Sequence, residues 1–247
     1  MLRLLRTYAS FVRFGHSVFA LPFALVGVLL AAQETFVAPA RIGWIVAAMV
    51  TARTAAMGFN RIADARFDAL NLRTANRELP RGELSLGDAV WLVSVASLAF
   101  VLITPQLGWV CVLLSPVALA IVFWYSLAKR FTTYSQLFLG LALAVAPVGG
   151  WLAAGGGRGW EPWLLALGTG TWVAGFDIFY ACQDIEFDRA QGLHSIPARF
   201  GVRRSLSTAR WLHCITVGAL AGVALVTPLG VWYLAGVGGV ALLLVYE

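Results

Sequence analysis

Polar and apolar residues fall into long blocks along the chain. Eight apolar runs, of about 16–20 residues each, stand at 17–32, 42–59, 89–104, 109–128, 135–154, 163–182, 211–226 and 229–246. That is close to or at the length an α-helix needs to cross a bilayer. Between two of the pairs the only breaks are Thr104-Pro105 and Thr227-Pro228, which predict short hairpin turns with proline stopping the helix. The segments at 60–88 and 183–210 are long and polar instead. The pattern predicts an all-α polytopic membrane protein, with eight spanning helices and two large loops on one face.

Composition narrows the class further. Hydrophobic residues make up 60% of the 247, charged residues 12%, and mean hydropathy is +0.80. An ordinary soluble domain carries about 25% charged residues. This chain has too few polar residues to cover a soluble surface, so disorder, a coiled coil and a simple soluble globule are excluded. The net charge of +6 raises nucleic-acid binding as a function, but positive charge on cytoplasmic loops accounts for it. With the N-terminus inside, 15 of the 18 basic residues lie on inside segments; Arg41 and Arg158 lie outside, and Arg53 lies within the second run. The expected location is the inner membrane, with the N-terminus and both long loops cytoplasmic. Cys111, Cys182 and Cys214 show neither disulfide nor zinc spacing. Neither nucleic acid nor an obligate protein partner is expected.

Nine of the 12 acidic residues lie at 60–88 and 177–188. Asn60, Asp64 and Asp68 are four apart, and so are Tyr180, Asp184 and Asp188. Four residues return a side chain to the same helix face, where like charges repel. Two such columns at matching helix ends predict a hard divalent cation, since Mg²⁺ takes carboxylates together with substrate phosphates. The alternative is a solvated acidic face paired with arginine.

Arg53 precedes Asn60 by seven residues and Asp64 by eleven; Asp177 precedes Asp184 by seven. Both spacings return within about 20° on a helix, so Arg53 and Asp177 are expected to face the same cavity, below the metal ligands. A buried Arg53–Asp177 ion pair is the plainer alternative. Tyr125, Lys129, Arg130 and Thr132 form a basic cluster at the inside end of the fourth run. It reads either as a topology anchor or as part of an anion site.

At these residues the sequence resembles the UbiA-type membrane prenyltransferases, over nearly the whole chain. The resemblance rests on three groups. The first is Asn60, Arg61, Asp64 and Asp68, followed by Arg73, Thr74, Arg77, Leu79, Pro80 and Gly82. The second is Tyr125, Lys129, Arg130 and Thr132. The third is Asp177, Tyr180, Asp184, Asp188, Gly192, Ser195 and Pro197. The family commonly has Asp directly after the Asn, where this chain has Arg61.

The resemblance implies a single transmembrane prenyltransferase domain over 1–247. The family has nine helices around a central cavity open to the cytoplasmic side. Only eight are visible here, and the chain stops directly after an apolar run, so a missing last helix is expected. It also implies Mg²⁺-dependent transfer of a prenyl chain from a polyprenyl diphosphate to an aromatic acid, inside the lipid bilayer. Asn60, Asp64, Asp68, Asp184 and Asp188 would hold the metal. Arg73, Arg77, Tyr125, Lys129 and Arg130 would hold the diphosphate. Arg53 would bind the acceptor's carboxylate, with Arg13 as second candidate, and Asp177 or Tyr180 would orient its hydroxyl. Phe14, Phe59, Phe67, Trp124, Phe176 and Phe179 are candidates to shield an allylic cation.

The stretches 11–25 and 55–61 resemble the branch labelled 4-hydroxybenzoate polyprenyltransferase, part of which is associated with futalosine-route menaquinone synthesis and a dihydroxynaphthoate acceptor. Prenyl-chain elongating enzymes also pair Asp-rich motifs, but are soluble. A cation transporter is the rival from another class; it would carry acidic residues mid-membrane, whereas here they cluster at helix ends.

Overall fold

The computed structural model describes residues 2–12 and 14–246. Ten α-helices and no strand occur among them: α1 Leu2–Phe11, α2 Phe14–Ala31, α3 Pro39–Leu70, α4 Leu86–Ile103, α5 Trp109–Ala128, α6 Ser135–Ala154, α7 Glu161–Ala181, α8 Ile185–Ala190, α9 Ile196–Val226 and α10 Val231–Tyr246. Single 3₁₀ turns at Thr104–Gln106 and Cys182–Asp184 follow α4 and α7. Six stretches are long and apolar enough to cross a membrane: Pro39–Leu70, Leu86–Gln106, Trp109–Ala128, Ser135–Ala154, Glu161–Ala190 and Ile196–Val226. The first predicted span corresponds to α2, Phe14–Ala31, and the last to α10, Val231–Tyr246.

Three boundaries differ from the hydropathy pattern. α3 does not stop at 59 but runs on to Leu70, taking the first acidic stretch with it. α9 begins at Ile196, well before 211, behind an N-cap in which Ser195 accepts from the Ala198 amide. Gly201, at φ 75°, kinks it five residues after that start. The first helix, α1, lies ahead of every apolar run. Its end is anchored by Phe11, which is fully buried in a cluster with Val12, Leu84 and Ala89.

α7 packs mainly on α9 and α6, α6 on α2, and α3 on α4. Membrane helices associate largely through close backbone approach, because lipid supplies no hydrophobic drive between them. Glycine provides that approach here. A Cβ on Gly140 would run into the Gly170 carbonyl of α7, and one on Gly150 into the Ala24 carbonyl of α2. The other half of the packing is a large buried cluster around Trp151, with Val28, Ile45, Leu107, Leu165 and Val223. It lies towards the end of the bundle away from the acidic residues.

These contacts predict that Gly140→Ala lowers the thermal midpoint in detergent, overpacking costing about 1–3 kcal/mol. Gly149→Ala is the control, since a Cβ there meets nothing within 4 Å. Its midpoint should stay within a degree or two of wild type.

Candidate active site

Because α3 stays helical to Leu70, Asn60, Asp64 and Asp68 do form a column at its end, with Asn60 Nδ2 3.5 Å from Asp64 Oδ2. The chain then coils into successive turns. Asn71 caps α3 through its amide to the Phe67 carbonyl, and the Thr74 hydroxyl donates to the Asp68 carbonyl at 3.1 Å. These turns fold Arg77 back onto Asp68, which its Nη1 meets at 2.7 and 2.6 Å. Both Asp64 and Asp68 are buried.

The second acidic stretch is not one helical column. α7 ends at Ala181, and the 3₁₀ turn at Cys182–Asp184 separates Tyr180 from Asp184 and Asp188. A 3₁₀ turn advances three residues per turn, so the four-residue register is lost there. Tyr180 is half exposed and packs on Phe176, ring centroids 5.0 Å apart. Asp184 instead faces the loop after α3: Arg73 Nη2 donates to it at 2.5 Å and Asn71 Nδ2 at 3.2 Å. Asp188 accepts from the Ser195 hydroxyl at 2.8 Å.

The basic cluster closes the assembly. Lys129 Nζ donates to Asp64 Oδ2 at 2.6 Å, and Arg130 Nη2 reaches Asp64 Oδ1 at 3.2 Å and the Ala63 carbonyl at 2.5 Å. The Lys129 carbonyl accepts from the His194 amide at 2.7 Å, joining the end of α5 to the loop before α9. Asp177 lies within electrostatic reach of Lys129, Asp184 and Asp188, and Tyr125 within reach of Arg53, Asp64 and Asp177. The predicted residues of α3, α5 and α7–α8 thus form one assembly.

The plainer alternative for Arg53 does not hold. No ion pair joins Arg53 to Asp177; the Arg53 Nε is buried without a hydrogen-bond partner. Phe67 does not stand free: Arg130 lies 5.3 Å and Lys129 5.9 Å from its ring centroid, so the ring holds protein cations. Phe59 packs on Phe123 and Trp124 on Phe131. Arg13 lies outside the described residues. One contact went unforeseen. The Ser10 hydroxyl donates to Glu78 Oε1 at 2.5 Å, tying α1 to the loop that carries Arg73 and Arg77. The apolar spacing of Leu5, Tyr8 and Phe11 is the sequence signal for that helix.

Among the described residues no three His, Cys, Asp or Glu side chains converge to hold a metal ion. Asp64, Asp68 and Asp184 pair with four basic side chains instead. The donors are nonetheless all oxygen, the set that a hard cation takes. On the side away from this cluster lies an apolar cavity of about 610 Å³, bounded by α2–α7 and lined by Ala52, Val122, Ala144, Gly170 and others. Ala52 is the residue before Arg53.

Residues 20–247 match the UbiA prenyltransferase family, and the chain belongs to it. A 4-hydroxybenzoate octaprenyltransferase of Francisella tularensis subsp. novicida (strain U112) is 36% identical over 154 residues, covering 62% of this chain and 54% of the relative. The enzyme of that name from Xanthomonas campestris pv. campestris (strain B100) is 33% identical over 195 residues, covering 79% and 64%. The matched region thus spans roughly half to two thirds of these curated relatives. An apo UbiA homolog from Aeropyrum pernix K1 superposes with a TM-score of 0.87 at 36% identity, over 94% of this chain and 86% of that one. A UbiA homolog from Archaeoglobus fulgidus, bound to DMAPP and Mg²⁺, superposes with 0.78 at 20% identity, over 97% and 85%. At that identity the likeness shows the fold.

The Asp64–Lys129 pair is buried on the carboxylate side and part-exposed on the other. Asp64→Ala and Lys129→Met should each destabilise, and the double variant should be less destabilised than the sum. A double-mutant cycle on thermal unfolding in detergent should give a coupling of about 1 kcal/mol or more. Strict additivity would show that the pair is too well solvated to matter.

Proposed function

We propose that this protein transfers a polyprenyl group from a polyprenyl diphosphate to the ring of an aromatic phenolic acid, 4-hydroxybenzoate or a dihydroxynaphthoate, with Mg²⁺, in respiratory quinone synthesis. The observation that carries this reading is a cluster of paired acids and bases at one end of a helix bundle whose other half holds a large apolar cavity. The names of the Francisella and Xanthomonas relatives support the acceptor class, and the ligands of the Archaeoglobus homolog support the donor and the metal. The cluster then faces the cytoplasm of the inner membrane, where both head groups are water-soluble.

Asp64, Asp68, Asp184 and Asp188, with Asn60, hold Mg²⁺, which when bound offsets the charge of the departing diphosphate. Arg73, Arg77, Lys129 and Arg130 turn from the carboxylates to the phosphate oxygens, and Tyr125 borders them. The allylic C–O bond breaks with its electron pair leaving on the diphosphate. The ring carbon ortho to the phenol hydroxyl forms the new C–C bond, and the displaced proton passes to Asp177. The apolar chain lies in the cavity. Arg53, with an unused buried donor, meets the acceptor's carboxylate, because such a charge needs a cationic partner in an apolar site. Tyr180, on the exposed side of α7, stands as a weaker candidate than Asp177 to orient the hydroxyl.

Purified protein given prenyl diphosphate, Mg²⁺ and each acid in turn should release diphosphate and form a prenylated acid detectable by mass spectrometry. Asp64→Asn with Asp184→Asn should lower turnover at least about 100-fold without loss of expression; full activity would overturn the metal assignment. Ion flux in liposomes without turnover would identify a transporter instead.

Arg53→Ala should raise the KM for the acid about 10- to 100-fold, the worth of a hydrogen bond to a charged group. It should also erase the preference for the acid over its methyl ester. Arg53→Lys should recover only part, lacking the planar bidentate contact. Equal discrimination against the ester in wild type and Arg53→Ala would remove Arg53 from this role.

A further inference from the structure

The cavity has an end wall opposite the acidic cluster, and one side chain ties that wall together. Leu107, from the turn after α4, and Ala153, from the last turn of α6, both line the cavity. Arg41 stands behind them. Its Nε donates to the Ala153 carbonyl at 2.6 Å and its Nη2 to the Leu107 carbonyl at 2.7 Å. A single guanidinium thus bridges two chain segments that both line the cavity at the end opposite the acidic cluster. Gly108, at φ 119°, forms the turn that carries the Leu107 carbonyl.

Arg41 lies in the first turn of α3, where a positive charge opposes that helix's own dipole. Its position is offset by the carbonyls it meets. Ala153 belongs to a helix C-terminus, whose last carbonyls have no partner within the helix. The pairing is between elements far apart in sequence, so it fixes α3, the α4–α5 turn and α6 relative to one another at one depth.

We propose that Arg41 sets the length of prenyl chain the protein accepts, by holding Leu107 and Ala153 together as the end wall of the chain's cavity. The proposal rests on the reading that the cavity holds the prenyl chain. Arg41 is a positioning residue: it touches the wall and not the chain. Along α3, Arg53 and Arg41 are twelve residues apart, about 18 Å of helix. That interval is the depth available below the acceptor site. A competing course exists, because Leu114, Val117, Leu137, Leu141 and Leu167 line the cavity and are also exposed on the bundle's outer face. A long chain leaving sideways past them would never meet the wall.

Cys111 provides a readout independent of turnover. It lines the cavity one turn after Leu107, with Sγ 3.9 Å from the Leu107 carbonyl. In a Cys182→Ser, Cys214→Ser background it is the remaining thiol. The experiment compares wild type, Arg41→Ala and Arg41→Lys in this background, in detergent. Turnover and N-ethylmaleimide labelling of Cys111 are measured with geranyl, farnesyl, geranylgeranyl and octaprenyl diphosphates.

In wild type, protection of Cys111 should begin at a definite chain length. In Arg41→Ala, N-ethylmaleimide labelling of Cys111 should rise at least tenfold, and the preferred chain should lengthen by one isoprene unit or more. Arg41→Lys, which reaches one carbonyl at a time, should fall between. If Arg41→Ala does not fold, the comparison rests on Arg41→Lys, whose chain-length profile and Cys111 labelling must both differ from wild type. An unchanged profile and unchanged labelling, with wild type active, would overturn the proposal and favour the sideways course. Wild type that neither turns over nor protects Cys111 with any chain would instead overturn the proposed function.

Discussion

Charge balance at one end of the bundle is the constraint on which the rest of the structure depends. Asp64 and Asp68 are buried at the end of α3, and they and Asp184 each meet a basic side chain. The chain supplies their countercharge from two separate places: Arg73 and Arg77 from the loop after α3, and Lys129 and Arg130 from the end of α5. Each pair also joins elements. Arg73 brings the loop to the turn after α7, and Lys129 and Arg130 bring α5 to α3. Removing the balance therefore disturbs the packing of the helix ends as well as the local electrostatics. The basic side chains hold the acids in the free protein, and the same donors suit a phosphate oxygen equally well.

The opposite half of the bundle obeys different rules. Its helices come together through glycine and alanine against carbonyls, as at Gly140–Gly170 and Gly150–Ala24. Such contacts leave little side-chain volume between the helices, yet a cavity of about 610 Å³ persists beside them. It persists because the small residues that allow close approach at the crossings, among them Ala24, Ala144, Gly150 and Gly170, also line the space between crossings. Close packing at a few points thus spaces the helices, and small side chains keep the interval open.

Much of this was legible in the sequence, for identifiable reasons. Asn60, Asp64 and Asp68 could be placed because their spacing is helical and the helix is in fact unbroken through them. Tyr180, Asp184 and Asp188 have the same spacing, but a 3₁₀ turn lies between the first and second, and no property of Cys182-Gln183-Asp184 marks it. Hydropathy ended α3 at 59 because a polar stretch looks alike whether helical or not. The buried Arg53–Asp177 pair failed because helical phase places a residue on a face without fixing its distance from another helix. The cations over Phe67 were not readable for the same reason: they come from the end of α5, 62 residues and more along the chain, and only the folded structure brings them there. Contacts within one helix were readable; those between helices were readable only where charge demanded a partner.

One element links the two halves. α3 has 32 residues, about 48 Å of helix, while the hydrocarbon core of a bilayer is about 30 Å thick. The excess is about 18 Å, or twelve residues. Counted back from Leu70, that excess begins near Phe59, directly before Asn60. The column of Asn60, Asp64 and Asp68 therefore stands clear of the hydrocarbon, where its charges need only each other and their basic partners. Arg41 lies in the first turn at the opposite end, and Arg53 is left as the basic residue in the middle of α3, next in sequence to the cavity-lining Ala52. The cost of burying that charge falls on one residue, and an intramembrane charge facing a bundle interior is where function is first to be sought. The length of a single continuous helix thus determines which charges meet water and which one faces the space beneath them.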